Sequence, residues 1–246
     1  MSLLTLVQGA CARVGVDTPS TVIGNTDAIV KDMLYLARQA AISLSRKTAW
    51  KALTSEKTFT TTAASAQTDA IPADCDWIIS DTMFNRTLNR RVGGPLSAEE
   101  WQLLQASMSS VVDPFFRIRG TSLLITPTPG SGNTVAYEYI TKNFCQSSGG
   151  TAQSAYAADT DTTVLDEELH LLGLVWRFKR AKGLDYSQEL ADFELEMGQA
   201  ILREGVRPRI TTDAAPRLGF DRGADAIAGA KPNAIVTEGG DFLVWD

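Results

Sequence analysis

Residues 166–183 read DEELHLLGLVWRFKRAKG, and this stretch decides the fold. Acidic residues stand at its start and basic residues at its end, which is the charge order that a helix macrodipole favours. Gly183 follows as a helix stop. The residues in between are apolar nearly all round the predicted helix, so other elements have to surround it. We therefore expect this helix at the centre of the fold.

A second helix is predicted directly after this one, capped by Asp185 with Gln188 three residues on. Its single apolar stripe consists of Leu190, Phe193, Met197 and Ile201. The other face carries the acidic residues Glu189, Asp192 and Glu196. Because one stripe is enough to bind the helix to its neighbour, we expect this acidic face to be solvated.

Two more helices are predicted near the start of the chain. The first runs over residues 2–14 and ends at Gly15, and the second runs from residue 25 or 26 to residue 48. The apolar stripe of the second helix is wide, which predicts contact with more than one neighbour.

Residues 56–141 have the β-branched side chains and the Gly and Pro punctuation typical of strands. The candidate strands are residues 57–61, 77–81, 84–88, 115–119, 122–126 and 134–140. Gly120 predicts a tight hairpin between two of them. Ser97 and Glu100 form a capping box at the start of one inserted helix, with Trp101 and Leu104 on its inward side. Residues 143–163 are expected to form a polar loop.

Residues 206–246 differ in character from the rest of the chain. They contain three prolines, many Gly and Ala residues and no helical or strand period. This composition predicts an extended arm instead of a domain. Its last residues, DFLVWD, are apolar and are expected to fold back or to dock on a partner.

Composition excludes several classes of function. The 246 residues include one histidine and three cysteines and carry a formal net charge of −6. One histidine excludes zinc sites built on two or more histidines. The acidic balance argues against a sequence-specific nucleic-acid binder, which needs a basic face. The longest apolar stretch, residues 169–175, is far shorter than the roughly 20 residues of a membrane span, so no membrane association is expected.

The remaining chemical motifs are weak. Glu167 and His170 form half of a di-iron E-x-x-H pair, but no second histidine completes it, so an acidic helix start with a half-buried histidine is expected instead. Asp159 and Asp161 match only the first ligands of a calcium loop, which favours a polar loop before the helix. Cys11 and Cys145 lack a flanking nucleophile signature. We expect no catalytic residue, no cofactor and no metal.

The order of segments resembles the tailed-phage head-to-tail adaptor proteins of the tail tubular protein A kind. The resemblance is carried over most of residues 1–205 by segments that follow one another in a characteristic order. These are LLTLVQGACARVG, SRKTAWKAL, IPADCDWIIS, NRRVGGPLSAEEWQLL, FFRIRGTSLLITPTPGSGNTVAYEYITKNFC and DTDTTVLDEELHLLGLVWRFKRAKGLDYSQELADFELEM.

The resemblance implies a structural virion protein of the α+β class. Residues 1–55 and 160–205 would form a helical bundle, residues 56–159 an inserted antiparallel β domain with one short helix, and residues 206–246 an extended arm. It also implies a dodecameric ring at the head-tail junction, with the portal protein and a tail or nozzle protein as partners. DNA would pass through the ring without specific binding.

Candidate contacts follow from this assignment. The arm would contact partners through Arg207, Arg209, Phe242 and Trp245, and Arg90 and Arg91 would mark a second partner surface. Glu189, Asp192 and Glu196 are the candidate lumen-facing acids. Two other classes stay open: a non-virion protein-protein interaction module of the same architecture, and an enzyme, for which the near-absence of histidine makes the weakest case.

Overall fold

A computed structural model describes residues 1–106 and 113–204 of the chain. Within these residues the helices are α1 (Leu3–Val14), α2 (Ala28–Ser45), α3 (Ala98–Ala106), α4 (Glu167–Ala181) and α5 (Ser187–Glu204), with a 3₁₀ turn at Lys51–Leu53. The predicted helix over residues 25–48 is shorter than expected. Its start is fixed at Asp27, whose carboxylate accepts the backbone N–H of Ile29 at 2.7 Å.

Helix α4 is the centre of the helical part, as its all-round apolar sequence predicts. It packs against α1, α2 and α5, so helices from both ends of the chain share one core. Leu174, Val175 and Phe178 are each no more than 2% exposed within it. Truncating such a buried leucine to alanine removes about 2–5 kcal/mol of stability.

The ends of α4 and α1 also follow the sequence signals. The Asp166 carboxylate accepts the backbone N–H of Leu169 at 3.0 Å and caps α4. At the start of α1 the Ser2 hydroxyl accepts the backbone N–H of Thr5, and Gly15 ends the helix in the left-handed region at φ 77°. The start of α5 differs slightly, because Asp185 binds the backbone N–H of Ser187 instead of that of Gln188.

The strands of the described residues form three antiparallel sheets. Their bounds are β1 (Thr54–Thr60), β2 (Ala66–Gln67), β3 (Cys75–Ile78), β4 (Phe84–Asn85), β5 (Arg90–Arg91), β6 (Phe115–Arg119), β7 (Ser122–Thr126), β8 (Thr134–Thr141), β9 (Cys145–Gln146), β10 (Ala152–Gln153) and β11 (Thr162–Thr163). The fold is therefore α+β, with antiparallel sheets inserted between the N-terminal and the C-terminal helices.

Strand β8 organises the largest sheet. It pairs with β1 along one edge and with β3 and β4 along the other, and β5 extends the sheet beyond β4. One face of β8 carries Val135, Tyr137 and Tyr139, which are buried in a second apolar cluster together with Phe116 of β6. On the other face Ile140 joins the core of the helices, so β8 connects the two cores.

The hairpin and the capping box lie where the sequence predicts them. Strands β6 and β7 have the predicted bounds, and Gly120 makes the turn between them at φ 61°. In α3 the Ser97 hydroxyl accepts the Glu100 backbone N–H at 3.2 Å, and the Glu100 carboxylate accepts the Ser97 backbone N–H at 2.8 Å.

Two regions differ from the expectation. The strand predicted over residues 77–81 lies at Cys75–Ile78 instead, and the strand predicted over residues 84–88 ends at Asn85, because the chain turns at Asp81 and Asn89, which adopt positive φ angles. Residues 143–163 contain the small sheet β10–β9–β11 instead of a continuous loop.

The two aspartates of that region have structural roles in the described part of the chain. The Asp159 carboxylate accepts the backbone N–H groups of Val22 and Ile23, and the buried Asp161 carboxylate accepts those of Ala157 and Ala158. These carboxylates fix the segment before α4 and tie it to the segment before α2.

Candidate interaction surfaces

The predicted acidic face lies along one side of α5. Lys179 of α4 pairs with Glu189, and Arg203 of α5 pairs with Glu196. The hydrogen bond from Lys179 also holds the pKa of Glu189 below its usual value. The third acid, Asp192, accepts a hydrogen bond from the Gln188 side chain at 2.8 Å. Two of the three acids thus carry a cation of their own, which leaves Asp192 as the exposed charge of the row.

Arg90 and Arg91 occupy β5 at the edge of the largest sheet, and both are exposed. Arg91 forms an ion pair with Asp81. On β4, the neighbouring strand, Phe84 is 47% exposed. Phe84, Arg86 and Glu138 are among the residues that line an open groove across this face of the sheet. The two arginines therefore lie beside a mixed polar and apolar surface, a composition common at protein-protein interfaces.

The remaining sequence candidates, Arg207, Arg209, Phe242 and Trp245, lie outside the described residues.

Sequence reasoning missed two pairs of exposed apolar side chains. Tyr35 and Ile42 on α2 are 60% and 41% exposed, and Leu195 and Leu202 on α5 are 66% and 80% exposed. The members of each pair are seven residues apart and lie outside the apolar stripes that bury their helices. Spacing of apolar residues at i and i+7 on the supposedly polar side was the signal that could have found them.

The single histidine is sealed in the helical core. His170 has no exposed surface, and its Nε2–H donates to the Ala37 carbonyl of α2 at 2.9 Å. The pKa of His170 is lowered to about 4, mainly by burial and in smaller part by the charge of Arg177, while the hydrogen bond to Ala37 opposes the shift. The expectation of a half-buried histidine is therefore wrong. A neutral imidazole without solvent access joins α2 to α4.

The buried thiols lie in equally apolar surroundings. Cys11 and Cys145 are both fully buried, and burial raises the pKa of Cys145 to about 12 and raises that of Cys11. In the described ranges no group of three or more His, Cys, Asp or Glu side chains could hold a metal ion. The chemistry of these residues supports packing and not nucleophilic catalysis.

None of the helices described has both the length and the apolar character to cross a membrane.

Comparison with known proteins gives one finding. The family described as SU10 adaptor protein matches residues 1–218, which covers both the helical core and the inserted sheets. No curated protein matches the chain.

Proposed function

Because the chain belongs to the SU10 adaptor protein family of phage head-tail adaptors, we propose that it forms a ring joining the portal of a tailed-phage capsid to the tail. The family gives the protein a structural role in the virion and implies that it is not an enzyme. The family match over 218 residues is the observation that carries the proposal. It also favours a virion component over an interaction module unrelated to virions.

We infer a ring because a head-tail adaptor has to connect two assemblies and leave a path for DNA between them. A junction between a capsid vertex and a tail has to let DNA through, and identical subunits repeated around an axis leave such a channel. Head-to-tail contacts between copies close a ring of this kind, and a dodecamer is the assembly we assign. The portal protein would bind on one side of the ring and a tail or nozzle protein on the other.

The DNA channel requires a surface that does not hold DNA. An acidic wall repels phosphates and lets a duplex slide, whereas a basic wall would bind it. The row of Glu189, Asp192 and Glu196 on α5 is the candidate wall, with Asp192 as its exposed charge. The net charge of −6 on each chain supports the same role.

Contacts with partners are assigned to two regions. We assign residues 56–159 as a β-rich part distinct from the helices. In this part Arg90 and Arg91 provide positive charge, and the neighbouring Phe84 provides apolar area. Residues 206–246 are assigned as the arm that reaches a neighbouring protein through Arg207, Arg209, Phe242 and Trp245. An extended segment that orders on binding gains contact area at an entropic cost.

Electron microscopy of the full chain mixed with the portal protein of the same phage tests the proposal. We expect ring-shaped density on the portal, coaxial with its channel, while the portal alone lacks this density. The full chain without the portal is the second control and shows whether the ring forms by itself. Chains that stay monomeric and form no complex with the portal would overturn the proposed function.

A further inference from the structure

Helix α5 presents two apolar sides. One side, with Phe193, Met197 and Ala200, is buried against α4 and its neighbours. The other side carries Leu195 and Leu202, which we call the α5 outer face. Leu195 and Leu202 lie on the same side of α5, two helical turns apart, with the small Gly198 and the polar Gln199 between them. The packing of α5 on α4 accounts for the buried side of α5 and leaves these two exposed leucines without a role in the folded subunit.

Helix α2 shows the same arrangement. Met33, Ala37 and Leu44 are buried, whereas Tyr35 and Ile42 form the α2 outer face. In both helices a glutamine lies four residues after the first apolar residue, Gln39 in α2 and Gln199 in α5. The two outer faces therefore have equal spacing, about 10 Å between their large side chains at 1.5 Å per residue.

The charges beside the two outer faces are complementary. Lys31 lies four residues before Tyr35, and no acid in the described residues forms an ion pair with it. Glu194 borders Leu195 and likewise has no cationic partner within residues 1–106 and 113–204. Other charges of these helices are paired, as Asp32 is with Lys182 and Glu196 with Arg203, whereas Asp192 accepts only the Gln188 amide. Each outer face is thus flanked by one charge without an ion-pair partner in the described residues, and the two charges have opposite signs.

We propose that the α5 outer face of one copy packs on the α2 outer face of the next copy. The occupant is a second copy of this chain because the matching spacing and the opposite charge are both found on the same protein. Two different faces meet, so the contact is heterologous and can propagate around an axis until it closes. The inference rests on the proposed function, since it names the contact that would build the proposed ring.

Two variants block one face each. Leu195→Glu/Leu202→Glu blocks the α5 outer face, and Tyr35→Glu/Ile42→Glu blocks the α2 outer face. All four side chains are at least 41% exposed, so the substitutions remove no core residue. Leu103→Glu on α3, at 63% exposure, is the matched control. Circular dichroism and thermal melting check that every variant folds.

Mass photometry then measures assembly under conditions in which the wild-type chain forms its ring, with portal present if the ring requires it. Each blocked variant should need at least about tenfold more protein for half assembly, and the control should behave like wild type. An equimolar mixture of the two blocked variants retains one intact junction, between the α2 face of one and the α5 face of the other. The mixture should give dimers that do not grow.

Several results would overturn the inference. Wild-type assembly by either blocked variant would do so, and so would full rings from the mixture. Loss of assembly in the α5 variant alone would assign that face to the portal, to residues 205–246 or to a two-fold contact. Absence of any wild-type ring on the portal would overturn the proposed function itself. In that case the interface is tested separately by oxidising the Gln39→Cys/Gln199→Cys variant. A ladder of disulfide-linked oligomers that neither single-cysteine variant forms would support the contact between α2 and α5. The absence of such a ladder would overturn the contact.

Discussion

The buried histidine makes the stability of this protein dependent on pH in a predictable direction. His170 Nε2 carries a hydrogen because the Ala37 carbonyl that it contacts can only accept, so an added proton has to go to Nδ1. Nδ1 lies 3.5 Å from the Tyr156 hydroxyl inside the core. Protonation would place an uncompensated charge among α2, α4 and the loop that carries Tyr156. The folded protein resists this protonation, whereas the unfolded chain does not.

The expected loss of stability follows from the difference between the two pKa values. The unfolded chain takes up the proton below pH 6.5, and the folded protein does so only below about pH 4. The contribution of the neutral His170 to the free energy of unfolding is therefore fully present well above pH 6.5. It is lost as the pH decreases from 6.5 to about 4. At 1.36 kcal/mol per pKa unit, the loss relative to pH 8 is about 2 kcal/mol at pH 5 and about 3 kcal/mol below pH 4.

His170→Gln isolates this effect because the chain has no other histidine. The glutamine amide can still donate to Ala37 but does not titrate, and the carboxylates of the protein are unchanged. Urea denaturation followed by tryptophan fluorescence at pH 8, 6.5, 5.5 and 5, below the assembly concentration, measures the free energy of unfolding. Wild type should lose about 2 kcal/mol more than the variant between pH 8 and pH 5. Equal losses in the two proteins would refute the assignment of the buried neutral imidazole.

Two further predictions concern the β-rich part and the end of the chain. Gly94→Ala should lower the free energy of unfolding by at least about 2 kcal/mol, because Gly94 has a φ of 131° and a Cβ there would lie 2.5 Å from the Phe116 carbonyl oxygen. Gly130→Ala, whose Cβ would meet nothing closer than 3.7 Å, is the control, and equal melting temperatures of the two variants would contradict the argument. A chain ending at Gly205 should keep the circular dichroism spectrum of a folded protein but assemble only at higher concentration. Unchanged assembly would exclude residues 206–246 from the proposed ring.

Short sequence patterns predicted where helices and turns lie better than they predicted which strands pair. The helix at residues 167–181, the hairpin around Gly120 and the capping box of Ser97 and Glu100 each depend on residues close together in sequence. Their geometry is set by charge order, turn conformation and side-chain reach, which a sequence displays directly. The pairing of β8 with β1, β3 and β4 joins residues as far apart as Thr54 and Ile140, and no local pattern specifies it.

The candidate surfaces were predicted in type but not in detail. Glu189 is acidic and lies on α5, yet its charge is neutralised by Lys179 on another helix, and only packing brings that pair together. Asp159 resembled a metal ligand, but it binds backbone N–H groups 136 and 137 residues away. The exposed pairs on α2 and α5 were not predicted, because the buried apolar stripe of each helix already accounts for its packing.

The central position of α4 has a consequence for the order of events on the ribosome. Helices α1 and α2 are synthesised first, but the helix that buries them ends at Ala181. At 5–20 residues per second, roughly 7–27 s pass between the synthesis of the end of α2 and that of the end of α4, and the interval is somewhat longer for α1. The hairpin of β6 and β7 can form during this delay, because its two strands are contiguous in the chain. The α2 surface that we assign to subunit contacts is therefore fixed in the folded core only after α4 has been synthesised, which separates folding from assembly in time.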